Sequence, residues 1–233
     1  MPNPLAIAIV SGGMDSVTLA YFLKNEGFDL HLLSFNYGQR HKKELLYAAQ
    51  CAQDLGAKHD IIDLSTITPF LKGSSLTDNI AVPEGHYAED SMKITVVPNR
   101  NAIMLAVAYA VAVAEGASAV ATGVHAGDHF VYPDCRPGFI RKFGEMEKAA
   151  TEGFAHPKLQ LLAPFVYASK ADIVKTGAKL GVPYEKTWSC YKGEEVHCGR
   201  CGTDIERREA FALAGVPDPT VYEDTQYYKQ VGA

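Results

Sequence analysis

Three cysteines and an aspartate, Cys190, Cys198, Cys201 and Asp204, stand in the stretch SCYKGEEVHCGRCGTD. Cys198 and Cys201 form a C-x-x-C knuckle, with Cys190 on the near side of a short polar loop. Thiolates at such spacing are a metal-binding signature, and zinc asks for four ligands. Asp204 is an anion that can offer zinc an oxygen at about 2.0–2.2 Å, a harder and shorter bond than a thiolate makes. His197 and water are the other candidates for the fourth place, with Asp204 the first choice. The segment TDIE gives Asp204 a second role. It reads as a capping box, Thr203 at the N-cap and Glu206 at N3, with Asp204 in the first helical turn where the dipole favours a carboxylate. The two roles are compatible, and the cluster is expected to be structural rather than catalytic.

A second constellation lies at the other end of the chain. VSGGMDS (10–16) joins an apolar run to a helical pattern. Gly12 and Gly13 let backbone N–H groups approach an anion, the helix N-terminus adds its positive dipole, and Ser11 and Ser16 supply hydroxyls. Asp15 is out of place beside phosphate unless it caps the helix or meets a metal ion carried by a nucleotide. The plainer alternative is a tight turn that merely starts a helix. The string is neither G-x-G-x-x-G nor the Walker pattern.

The elements that must position these groups alternate. LAIAIV, DLHLLSFNY, KHDIIDL, ASAVATGV and LQLLAPF read as strands, the first a buried one by its continuous apolar run. Helical patterns follow in MDSVTLAYFLKNEG, QRHKKELLYAAQCAQDLG, NAIMLAVAYAVAVAEG, a segment around 139–151 and a capped SKADIVKTGAKLG. This order predicts an α/β fold with a doubly wound, mostly parallel five-stranded sheet over residues 1–183. Residues 65–99 read as an insertion outside the core, and 184–233 as a metal-binding segment packed on the same domain.

With 47% hydrophobic and 21% charged residues, the chain has the composition of a soluble globular protein. A net charge of -5 argues against a nucleic-acid footprint. The apolar run 102–114 is too short for a membrane span, and the N-terminus lacks the basic region of a signal peptide. Five cysteines, three of them clustered, suit a reducing compartment, so a cytoplasmic location is expected.

S-G-G-x-D-S after a first strand resembles the loop of the N-type ATP pyrophosphatases. Together with FNYGQRHKKEL (35–45), VVPNRNAIML (96–105), HAGDHFVYPDCRPGF (125–139), SKADI (169–173) and TWSCY...HCGRCGT...ERREAF, it resembles the 7-cyano-7-deazaguanine synthases, over residues 10–211. The resemblance implies an adenine nucleotide alpha hydrolase-like fold with a C-terminal zinc-binding helical segment, and a homodimer. It implies an ATP-dependent carbon–nitrogen ligase that adenylates 7-carboxy-7-deazaguanine and converts it with ammonia, through an amide, to the nitrile. ATP, Mg²⁺ and Zn²⁺ are the implied cofactors. No length is spare for a glutamine amidotransferase domain, so ammonia or an amine is the nitrogen source. A paralogue joining a deazaguanine carboxylate to an amine of a partner protein in anti-phage defence is the alternative.

Residue by residue, the family pattern puts Val10, Ser11, Gly12, Gly13, Met14, Asp15 and Ser16, with Ser34 and Gly123, around the nucleotide. Asp15, Arg100 and Lys170 are the expected catalytic groups. Lys170 would meet phosphate, though a solvated lysine is the commoner fate. Arg100 would meet phosphate or the substrate carboxylate through its fork, or else anchor the insertion by a salt bridge. Tyr37, Arg40, Asp128, Tyr132, Asp134 and Arg136 are expected about the substrate, Asp134 being a sensible reader of a guanine-like N–H edge. Gln39 and His41 belong to the same turn as Arg40. Cys135 reads as a buried structural thiol. The family pattern has a fourth cysteine where this chain has Asp204.

Overall fold

Ala6, Ile7 and Ala8 are fully buried because helices cover both faces of the strand that carries them. That strand, β1 (Leu5–Ile9), is the centre of a parallel sheet with β2 (Asp29–Asn36), β3 (Lys58–Asp63), β4 (Ala119–Ala121) and β5 (Gln160–Leu162). The strand order is β3-β2-β1-β4-β5, so the doubly wound five-stranded expectation holds. The structure is a computed structural model describing residues 2–86, 90–192 and 195–231.

Ala6 and Ala8 point into a core shared with α1 (Met14–Asn25), α2 (Glu44–Leu55), α5 (Lys170–Leu180) and α6 (Gly202–Ala214). Ile7 points the other way, toward α3 (Arg100–Glu115) and α4 (Pro137–Ala150). The period-two alternation of a strand thus assigns the two layers. The stretch Met92–Glu115 has the length and apolarity of a membrane span. It is broken by Asn99, whose backbone is left-handed (φ 56°), and α3 beyond it buries Leu105, Ala108 and Ala112 in the core.

Two expectations about helix starts change. Helix α2 starts at Glu44, not at Gln39, because the Gln39 side chain accepts from Tyr37 N (2.9 Å) and donates to Phe35 O (3.0 Å), folding the chain into a turn. The capping box at Thr203 does not form. Cys201 is the N-cap of α6, Thr203 Oγ1 donates to Ser189 O (2.8 Å), and Glu206 accepts from Lys170 instead (2.6 Å). Asp204 does lie in the first turn. At α5 the box is real, between Ser169 and Asp172.

The stretch 65–99, of which 87–89 lie outside the described residues, adds Leu76, Met92 and Val97 to the second core. It is therefore more than a peripheral insertion. Glu84 also bridges to Cys201 through backbone, and its carboxylate pairs with Arg200 (2.9 Å) and Lys192 (2.8 Å). The C-terminal segment, of which 193–194 and 232–233 lie outside the described residues, ends in the short helix α7 (Tyr227–Val231).

Candidate active site

The strand order reverses between β1 and β4, and a cavity opens beyond their carboxyl ends. Its floor is the turn after β1. Gly13, extended, is the N-cap of α1, and its N–H donates to Ser11 Oγ (3.3 Å) while Ser16 Oγ donates to Gly13 O (3.1 Å). Gly12 has φ 96°, and a Cβ there would run into the Glu44 carbonyl and Ala48 N, so only glycine lets α2 pack on this turn. Val10, Ser11, Gly13, Met14, Asp15, Ser16 and Gly123 all line the cavity. Gly12 and Ser34 lie beneath it. Ser34 Oγ donates to Val10 O (2.6 Å) and meets His59 Nε2 (2.8 Å), supporting the strand under the turn.

Charge is concentrated on one side. Lys170 Nζ lies 2.6 Å from Glu206 Oε2 and 3.3 Å from Asp15 Oδ2, with its side chain 13% exposed. Burial alone would lower its pKa, but Asp15 and Glu206 win and raise it, so the lysine stays charged. Burial raises the Glu206 carboxyl, opposed by Lys170. His125 Nε2 sits 3.6 Å from Asp128 and 3.8 Å from Asp15. Asp15 Oδ1 is buried with no hydrogen-bond partner.

The opposite side is an aromatic cage. Arg100 Nη1 donates to Tyr37 Oη (3.3 Å), and its guanidinium carbon is 5.7 and 5.8 Å from the Tyr37 and Tyr132 ring centres. Tyr132 Oη reaches Thr95 Oγ1 (2.8 Å) and Tyr191 Oη (3.5 Å). Burial works against the charge on Arg100, and the phenols of Tyr37, Tyr132 and Tyr191 more than offset it. Among the described residues no carboxylate lies within ion-pair distance of Arg100. Among the described residues no salt bridge makes it an anchor of the insertion. Its unused donors form a fork suited to a planar anion.

Arg40, Asp134 and Arg136 stand apart from the cavity lining, whereas Cys135 is part of it. Arg40 Nη2 donates to Asn79 Oδ1 (3.1 Å) on the exterior. Asp134 Oδ2 accepts from Asn101 N (3.0 Å) at the start of α3, and Arg136 Nε donates to His129 O (2.9 Å). Cys135 is buried, accepts from Asn101 Nδ2 (3.2 Å), and burial pushes its thiol up, which suits an inert sulfur. Among the lining residues that the sequence reading did not single out for the site are Glu44, Tyr191 and Glu206. Tyr191 and Glu206 follow Cys190 and Asp204 closely, and the only signal was that the cysteine segment folds back over the sheet.

That segment brings Cys190, Cys198, Cys201 and Asp204 together, all buried, with one donor atom of each within 4.8 Å of the others. Asp204 Oδ2 accepts from Gly199 N (2.9 Å) and lies 3.3 Å from Cys198 Sγ, while Oδ1 meets His197 Nδ1 (2.7 Å). His197 is thus a support for the aspartate and rests against Trp188, ring centres 4.4 Å apart. Hydrogen bonds from Cys190, then from Cys201, lower the Cys198 thiol, and the same bond pushes Cys190 up. A cation that attracts thiolate suits such a pocket.

The model of the family described as Queuosine biosynthesis protein QueC matches residues 5–215. A Brucella anthropi protein named 7-cyano-7-deazaguanine synthase is 61% identical over 223 residues, 96% of this chain and 95% of that protein. The Brucella ovis protein of the same name is similar to the same extent. Among solved structures, the U34-tRNA thiolase NcsA from Methanococcus maripaludis with its 4Fe-4S cluster has a TM-score of 0.50 at 16% identity, covering 99% of this chain and 65% of that one. NMN synthetase from Francisella tularensis has a TM-score of 0.51 at 14% identity, covering 99% and 83%. These two share the fold.

Proposed function

The chain belongs to the QueC family, and on that premise we propose that it is an ATP-dependent 7-cyano-7-deazaguanine synthase, a carbon–nitrogen ligase acting on 7-carboxy-7-deazaguanine and ammonia. The observation that carries this is the division of one cavity between a glycine turn with Lys170 and an arginine without a carboxylate partner. A nucleotide's phosphates fit the first side and a substrate carboxylate the second.

A carboxylate is a poor electrophile, so it is first joined to the α-phosphate of ATP with release of pyrophosphate. Backbone N–H groups at the α1 N-terminus, Ser11, Ser16 and Lys170 offset the negative charge that develops there. Asp15, with one unpartnered buried oxygen, would hold a Mg²⁺ ion, which would supply positive charge against the phosphates. Arg100 holds the carboxylate, and Tyr37 and Tyr132 flank the ring. Ammonia then displaces AMP to give the amide, and a second ATP activates the amide oxygen so that loss of AMP leaves the nitrile.

Zinc fits the buried cluster. Tetrahedral Zn–S bonds near 2.3 Å put donor atoms about 3.7 Å apart, and the four donors here all lie within 4.8 Å. Cys190, Cys198, Cys201 and Asp204 would hold it, and with no open position it supplies structural rather than catalytic chemistry. A homodimer in the cytoplasm is the expected setting.

The test is direct. Purified protein given ATP, 7-carboxy-7-deazaguanine and ammonium is followed for AMP and for product mass. AMP with the nitrile mass is expected; accumulation of an adenylate, an amide alone or an amine conjugate refutes the assignment.

A further inference from the structure

Glu44 lines the cavity with its side chain 11% exposed, at the start of α2. A buried carboxylate costs free energy unless it is paired. Its partners here are weak ones. Gln39 Nε2 donates to Oε1 (3.1 Å), and His41 Nε2 lies 3.6 Å from Oε2. Among the described residues no lysine or arginine comes within ion-pair distance. His41 cannot serve as the missing cation, because burial and then Arg100 lower its pKa to about 3. It lines the same cavity, and its Nδ1 is buried with no hydrogen-bond partner. The site thus holds a carboxyl group with no cation at ion-pair distance among the described residues, facing Nε2 of an imidazole whose other nitrogen, Nδ1, has no partner.

We propose that Glu44 and His41 form the subsite that takes ammonium from solution, and that Glu44 is the catalytic residue that receives protons from the reacting nitrogen. This rests on the synthase reading. Ammonium is a small cation with four N–H donors, which the Glu44 carboxylate and the neutral His41 Nε2, 3.6 Å from it, can share. Transfer of one proton to Glu44 leaves ammonia. As the C–N bond forms at the acyl adenylate, AMP leaves with the C–O electron pair, and the tetrahedral nitrogen gives up a further proton. In the second stage the amide oxygen displaces pyrophosphate from ATP, and the nitrogen loses both remaining protons as C≡N forms and AMP departs. Each proton passes through the same carboxylate to water.

The groups facing Glu44 are His41 in its own turn, Gln39, Tyr37 at the end of β2 and Arg100 at the start of α3. Burial raises its pKa to about 7, and the Gln39 hydrogen bond and Arg100 oppose this. A base poised there is matched to neutral pH.

The experiment separates the steps by substrate. Carboxylate-dependent exchange of labelled pyrophosphate into ATP needs no ammonia, whereas amide formation does. Glu44→Gln should exchange within about threefold of wild type yet form amide roughly 10²-fold more slowly, with a cooperative melt no lower than that of wild type. The slow step should be partly restored in Glu44→Asp. Nitrile formation from the preformed amide should lose its rise through neutral pH in Glu44→Gln. Amide formation within threefold of wild type in Glu44→Gln overturns the proposal. So does an equal loss of exchange, which would make Glu44 a reader of the deazaguanine ring or a structural group. Absence of exchange in the wild type would instead sink the synthase reading itself.

Discussion

Arg100 is the sharpest place to test the division of the cavity. Among the described residues its guanidinium makes one 3.3 Å hydrogen bond, to Tyr37, and no ion pair. Replacing it by glutamine therefore strands no buried carboxylate, and the stability cost should stay below about 1 kcal/mol, a shift of roughly 2–4 °C at this chain length. Its value should appear on binding. A charge-assisted hydrogen bond to a carboxylate contributes about 1.5–3 kcal/mol, which corresponds to roughly 10- to 150-fold in affinity. Arg100→Gln should raise KM for the carboxylate substrate by that factor in the exchange assay. The preformed amide carries no carboxylate, so its KM should rise much less. Arg100→Lys keeps the charge and loses the fork, and should fall between. A variant that melts many degrees lower with an unchanged KM, or that affects both substrates alike, would refute the assignment of Arg100 to the carboxylate.

Gly12→Ala should destabilise by about 1–3 kcal/mol or prevent folding, because φ 96° is strained for alanine and the new methyl meets the α2 backbone; thermal melting checks this. Asp204→Cys should tighten zinc binding and His197→Ala weaken it by about tenfold or more, read by competition with a chromogenic chelator. Glu44 predicts a signed pH effect. Its folded pKa of about 7 exceeds the ordinary 4.5, so the native state holds the proton more tightly. The cost of ionising it is absent below pH 4.5 and complete above pH 7, roughly 3 kcal/mol at most. Glu44→Gln should therefore be more stable than wild type at pH 8, by up to roughly 3 kcal/mol, and nearly equal to it at pH 4.5, as chemical denaturation at the two pH values would show. His41 opposes the trend below pH 6.5 in both proteins and cancels in the comparison.

The alternating apolar runs made the sheet legible, since a parallel strand buried on both faces cannot be polar. SGGMDS was legible for a similar reason: little else than a turn against a helix N-terminus accommodates two glycines and two serines there. The three clustered cysteines were readable from spacing, with Asp204 the first of three choices for the fourth place. What could not be read was how side chains with several options choose among them. Thr203 and Glu206 have capping-box identities, yet Lys170 from α5 outcompetes the local backbone for Glu206. Asp134 and Arg136 sit among substrate-like letters but satisfy nearby backbone groups. Glu44 looked like any glutamate opening a helix. Only the fold shows that the turn before it buries that glutamate in the cavity.

The first turn of α6 sends Asp204 to the cysteines and Glu206, two residues later, to Lys170 in the cavity. Two residues rotate a helix by about 200°, so one short turn serves opposite sides. An inserted or deleted residue between them would swing one partner by about 100° and leave either the metal donors or the lysine unmet. Substitutions at 204 exchange one donor atom for another, as carboxylate for thiolate. The spacing itself admits no change, which makes chain length, more than residue identity, the quantity held fixed at this joint.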